Sequence, residues 1–213
     1  MTTTSHSITF FHSPRTRSTG TFILLEELGV PYELHVLDMQ AGAQRQPEYL
    51  AVNPMGKVPA ITHNGVLVTE QIAIFTFLAD LFPQAGLAPA LDSPLRGPYL
   101  RWLAFYAGCF EPAVADRALK REATESRQML SYGDYDTMLN TLVAQLAPGP
   151  YLLGDTFTAA DILWSSALRW TTHFKIVPLL PEIQKYLTLM HSRPAVQKVL
   201  TRDVELLAAL GRT

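Results

Sequence analysis

At 213 residues, 48% of them hydrophobic and 17% charged, the chain has apolar material enough for a folded core, as one domain or two small ones. A formal net charge of −2 with no sustained basic run argues against a nucleic-acid backbone or an anionic membrane as partner. A single cysteine, Cys109, excludes an internal disulfide and a Cys-x-x-Cys redox pair, and six histidines without ligand spacing argue against a metal. The opening MTTTSHS lacks the charged and apolar regions of a signal peptide, and no run approaches ~18 apolar residues, so the expected location is the cytoplasm.

In chain order, ITFF (8–11) reads as a strand and Ser18 to Leu28 as a helix with Phe22, Leu25 and Leu28 on one face. YELHVL (32–37) follows as a second strand and Gln46 to Ala51 as a short helix. VPAIT (58–62) and VLV (66–68) flank His63-Asn64-Gly65, a hairpin signal. The next helix shows Ile74, Phe75, Leu78, Leu81 and Phe82 at helical spacing and stops at Pro83. Residues 83–98, rich in proline and glycine, read as a linker. Beyond it no strand pattern occurs. Tyr99, Trp102, Leu103, Tyr106, Cys109 and Phe110 trace one helical stripe, and Tyr135, Leu139, Leu142, Val143 and Leu146 another. GDTFTAADI (154–162) predicts a capping box, with Thr158 as N-cap, Asp161 three residues on, and Phe157 stapled to Ile162. Two more helices are marked by Ile183, Tyr186, Leu187 and Met190, and by Val196, Val199, Leu200, Leu207 and Leu210.

Four stretches carry a resemblance: FFHSPRTRSTGTFILLEELGVPYE (10–33), YLAVNPMGKVPAI (49–61), TEQIAIFTFLAD (69–80) and GDTFTAAD (154–161). In this order and spacing they resemble the glutathione S-transferase superfamily, in its bacterial beta and theta-like types. The resemblance implies an α/β thioredoxin-like N-terminal domain (1–83), a linker (84–94) and an all-α C-terminal domain (95–213). It further implies an enzyme that uses glutathione as co-substrate, conjugates its thiolate to small, mostly apolar electrophiles in detoxification, and works as a homodimer. Two alternatives stand beside it: a non-catalytic binding or assembly module of the same fold, and a glutathione-dependent disulfide reductase, isomerase or dehalogenase.

By the same resemblance, Val58-Pro59 is a cis peptide whose Val58 backbone pairs with the cysteinyl backbone of glutathione as an added strand. On the residues alone, Pro59 reads equally as the start of an edge strand. Glu70 and Gln71 stand at a helix start capped by Thr69, where a carboxylate is favoured; Gln71 would donate to the γ-glutamyl carboxylate while Glu70 faces its ammonium. Relatives most often have serine where Gln71 stands, and Glu70 alone could simply complement the helix dipole. Lys57 and Gln40 resemble positions that hold the glycyl carboxylate, or are solvated surface.

The group that activates the thiol in this superfamily is a tyrosine, serine or cysteine near the first helix. Here the beta-type cysteine falls at Arg17 and the theta-type serine near Arg15, which leaves Ser13, Thr16 and Ser18. A thiol of pKa near 8.5 is about 3% ionised at pH 7, and lowering that value by about two units requires about 2.7 kcal/mol. A hydrogen bond to the charged sulfur, about 1.5 to 3 kcal/mol, with about 0.3 to 1 kcal/mol from a helix N-terminus, is of that size. Ser18 at the helix start is the favoured hydroxyl, Thr16 the second, and Arg17 either adds a positive field or holds a glutathione carboxylate. The plainer reading makes Ser18 an N-cap and the arginines solvated. Tyr106 and Phe110 are candidates for the acceptor pocket, or members of the helical core.

Overall fold

The computed structural model describes residues 6–121 and 127–212. The chain forms two compact units, one made of Met1–Ala85 with Pro194–Thr213 and the other of Gly86–Arg193. The division falls between Ala85 and Gly86, and the last helix, expected in the C-terminal domain (95–213), is grouped with the first unit.

That first unit has strands β1 (Ile8–His12), β2 (Glu33–Val36), β3 (Ala60–His63) and β4 (Val66–Val68), with helices α1 (Ser18–Leu28), α2 (Pro47–Leu50), α3 (Gln71–Leu81) and α9 (Pro194–Ala209). The sheet order is β2-β1-β3-β4. β1 runs parallel to β2, pairing Phe10 with Leu34, and antiparallel to β3, pairing Phe10 with Ile61. The expected mixed four-stranded sheet is therefore present, with β3 and β4 joined through Asn64 and Gly65, both at positive φ.

Because side chains alternate along a strand, β1 serves two cores. Phe10 and His12 face α1, with the Phe22 ring 5.8 Å and 5.1 Å away respectively. Phe11 faces the other way, into a cluster with Leu37, Tyr49 and Ala60. Helix α1 is buried from Ser18 to Leu25 and again at Leu28, because α3 and α9 pack on it besides the sheet. Helix α9 covers it with a stripe at Val196, Val199, Asp203, Leu206 and Leu207. That stripe explains the division of the chain: α1 and α9 bury each other's apolar faces. A Lys198 to Glu26 ion pair at 2.5 Å and an Arg212 to Asp38 pair at 2.9 Å flank the packing.

Within the second unit, α4 (Arg96–Phe105) runs through a π turn (Tyr106–Phe110) into α5 (Glu111–Ala118), followed by α6 (Tyr135–Leu146), α7 (Ala159–His173) and α8 (Pro181–His191). The π turn has a local cause. Pro112 has no N–H to offer the Gly108 carbonyl one turn back, so the ladder widens there, and the Ser131 hydroxyl donates to that carbonyl instead. Trp164 is fully buried among the rings of Trp102, Phe105, Tyr106 and Phe110, and its Nε1 donates to the Trp102 carbonyl at 3.0 Å.

The capping box at Thr158 and Asp161 is present. Asp161 also accepts from the Leu152 N–H at 2.9 Å and the Tyr186 hydroxyl at 3.0 Å. Burial pushes its carboxyl above the usual value even so. Phe157 meets the Tyr151 ring at a tilt and lies under the Arg193 guanidinium. Among the described residues no helix is long and apolar enough to cross a membrane.

Candidate active site

The site is built where β1 ends and α1 begins. His12 is the last residue of β1, on the face that looks toward α1, so its ring is delivered to the first turn of that helix. The N-cap is Arg17, in helical conformation with no side-chain cap, and Ser18 opens the helix. Ser18 is therefore not the N-cap. Its hydroxyl turns inward instead, 2.8 Å from His12 Nδ1, receiving the Ser13 N–H at 3.1 Å and donating to the Ser13 carbonyl at 3.0 Å.

Thr16 sits one layer outward. Its Oγ1 is 2.7 Å from Ser18 Oγ, donates to the Ser13 carbonyl at 2.7 Å and receives the Ser18 N–H at 3.2 Å. Ser18 is 0% exposed whereas Thr16 is only half-buried, so of the two hydroxyls Thr16 is the outer one. Helical φ at Arg17 is the reason: it aims residue 18 back at the strand and leaves residue 16 on the outside.

Behind the ring lies a carboxylate supplied by α9. His12 Nε2 is 2.9 Å from Asp203 Oδ1, while Asp203 Oδ2 accepts from the Thr19 hydroxyl at 2.7 Å and the Arg15 N–H at 3.1 Å. Burial is the strongest single influence on the Asp203 carboxyl and would raise its pKa. The hydrogen bond with the His12 ring, with those from Thr19 and the Arg15 backbone, outweighs it and holds the carboxyl below its ordinary value. Neither His12 nor Asp203 figured in the sequence expectation. The available signal was a histidine at the inward position of a strand end and an aspartate interrupting the apolar stripe of α9.

The other expected residues surround this core. Val58-Pro59 is cis. The approach to it is fixed by the Lys57 carbonyl, which accepts from the Tyr49 hydroxyl at 2.6 Å and Asn53 Nδ2 at 2.9 Å, while the Lys57 side chain is exposed. Helix α3 begins at Gln71 with Glu70, not Thr69, as N-cap. Glu70 is exposed at φ 63°, a left-handed value that costs a non-glycine residue about 1 to 3 kcal/mol. Gln71 Nε2 donates to the Arg17 carbonyl at 3.0 Å and so ties the start of α3 to that of α1.

A cleft of about 220 Å³ opens beside Thr16. Ser13, Arg15, Met39 and Gln40 line it with Leu207, Leu210 and Arg212. It brings Gln40 and Thr16 together; Lys57, Val58, Glu70 and Gln71 are not in its lining. Tyr106 and Phe110, the candidates for an acceptor pocket, are 3% and 0% exposed, stack on each other and pack against Trp164.

Family models match residues 6–80 as a glutathione S-transferase N-terminal domain and residues 112–202 as a C-terminal domain. The glutathione S-transferase GstA of Escherichia coli O157:H7 is 28% identical over 196 residues, covering 91% of this chain and 97% of that protein. A solved glutathione transferase from Methylococcus capsulatus is 31% identical with a TM-score of 0.78, covering 93% of this chain and 99% of that one. A sphingomonad glutathione S-transferase solved in complex with glutathione is 30% identical with a TM-score of 0.76, covering 92% and 98%.

Proposed function

Because the chain belongs to the glutathione S-transferase superfamily, we propose that it is a glutathione transferase whose thiol-activating group is the Thr16 hydroxyl. The observation that carries this reading is the layered pair at the mouth of α1, with Thr16 half-exposed on a cleft and Ser18 sealed behind it at 2.7 Å. Glutathione lies along the sheet edge at Val58, its ammonium facing Glu70 and its γ-glutamyl carboxylate at the N-terminal end of α3. One Gln71 amide N–H is engaged at the Arg17 carbonyl, and the amide's second N–H joins the helix terminus in holding the carboxylate. Lys57 and Gln40 take the glycyl carboxylate. The exposed Arg17 adds positive field at the same helix entrance.

There the Thr16 hydroxyl, now bonded to the Ser13 carbonyl, swings to donate to the sulfur. That bond and the N-terminus of α1 supply the few kcal/mol the ionised thiol needs. The thiolate then attacks an electrophilic carbon; a C–S bond forms, and the leaving group departs with the electron pair of the bond that breaks.

Thr16→Ala tests the reading with chlorodinitrobenzene as acceptor. The expected result is a fall in kcat of about 25-fold, the ionised fraction lost at pH 7 when about two pKa units are given up. The KM for glutathione should stay within a few-fold and Thr16→Ser should retain the rate. A Thr16→Ala variant as fast as the parent would remove Thr16 from the role.

A further inference from the structure

We propose that the thiol proton leaves through the interior of the protein, along Thr16 and Ser18 to His12, with Asp203 as the counter-charge of the imidazolium that forms. This rests on the reading that glutathione sulfur meets Thr16. From that hydroxyl the contacts are continuous: Thr16 Oγ1 to Ser18 Oγ at 2.7 Å, Ser18 Oγ to His12 Nδ1 at 2.8 Å, and His12 Nε2 to Asp203 Oδ1 at 2.9 Å.

Hydrogen-bond chemistry sets the direction. A carboxylate only accepts, so the ring proton of His12 lies on Nε2, and a neutral ring then presents a bare lone pair on Nδ1 to Ser18. Each hydroxyl can accept one proton and release its own. The sulfur gives its proton to Thr16 Oγ1, Thr16 passes its proton to Ser18 Oγ, and Ser18 passes its proton to His12 Nδ1. One S–H bond breaks, one N–H bond forms, and the final state is a thiolate with an imidazolium. At rest both hydroxyls donate to the Ser13 carbonyl; for the relay each rotates, Thr16 toward Ser18 and Ser18 toward His12, and after transfer every hydroxyl donates outward, toward sulfur. That outward orientation is the one that stabilises the anion.

The surroundings suit a transient charge. His12 is 0% exposed and flanked by the rings of Phe10 at 5.4 Å and Phe22 at 5.1 Å. From α9 it meets Asp203, from α1 the hydroxyl of Ser18, and the loop contributes the Arg15 backbone N–H to the same carboxylate. Among the described residues Asp203 is the one ionisable side chain bonded to the ring, itself 3% exposed. Ser18, sealed from solvent, has no opening through which to act as a nucleophile; it serves as the middle link. His12 and Asp203 are positioning residues, acting on the thiol through Ser18 and Thr16.

A proton count on the wild-type protein tests this. Glutathione binding is measured by calorimetry in two buffers of different ionisation enthalpy, while the ultraviolet absorbance of the thiolate reports ionisation. The expected result is a thiolate signal with close to no proton released to buffer. Asp203→Asn keeps an acceptor for Nε2 but removes the charge. It should raise the pKa of the bound thiol by about one unit, which at pH 7 lowers the thiolate fraction about threefold, with glutathione affinity within a few-fold. Release of one proton per thiolate in the wild type would overturn the relay, as would an unaltered thiolate fraction in a folded Asp203→Asn. Binding without any thiolate signal also overturns it, whereas absence of binding heat strikes the proposed function itself. Should Asp203→Asn not fold, the wild-type count decides alone.

Discussion

Gly56 shows how a single position holds the site in place. At φ +59° it is in the left-handed region, and an added Cβ would lie 2.7 Å from the Gln44 carbonyl oxygen. That oxygen is backbone and has nowhere to retreat, so Gly56→Ala should cost about 1 to 3 kcal/mol. The measurement is a lower denaturant midpoint at unchanged slope. Single residues were the scale at which the sequence misled most. The hydroxyl cluster at 13–18 was visible, but its inside and outside were not, because which of Thr16 and Ser18 faces outward depends on a helical φ at Arg17 that no residue preference dictates. Glu70 was legible as an acidic helix start, yet its cap geometry is strained, and strain is invisible to propensity.

Secondary-structure elements were far more readable, since their code is local. The bounds of α1 and β4 follow directly from the apolar period, and the capping box at α7 needs only four consecutive residues. Asp161 does more than cap: it holds the Leu152 N–H, the Thr158 N–H and the Tyr186 hydroxyl, all buried. Asp161→Ala would leave these donors unserved, each worth about 1 to 3 kcal/mol, so a loss of about 3 kcal/mol or more is expected in chemical unfolding. Retention of parental stability would show that water replaces the carboxylate. The π turn at Tyr106–Phe110 was not foreseen, although its cause, Pro112, lies in plain view. The wider turn moves Cys109 off the buried stripe, where its thiol donates weakly to the Ser131 carbonyl at 3.4 Å. Trp170 likewise faces outward, 38% exposed, rather than joining the core around Trp164.

Over the whole molecule, the feature least accessible to sequence reasoning is the return of α9 to the first unit. His12 and Asp203 are 191 positions apart, and no periodicity reports on such a separation. The pair has a measurable consequence for acid stability. Asp203 is held below its ordinary value of 3.8, so near that pH the folded chain binds fewer protons than the unfolded one. Stability therefore rises with pH across this range; the Asp203 contribution is complete above it and disappears as pH falls through the lower, folded value. Unfolding midpoints recorded between about pH 5 and pH 2 should show a shallower acid decline in Asp203→Asn than in the parent. Identical slopes would mean the carboxylate carries no such linkage.

Protein synthesis meets the same long span in time. The ribosome delivers the β1–α1 loop early, when nothing yet exists to occupy the far nitrogen of its histidine, and supplies the missing carboxylate only after the entire helical unit has been translated. A nascent chain halted before α9 would thus hold all four strands while His12 Nε2 still lacks its carboxylate, which comes only with the last helix.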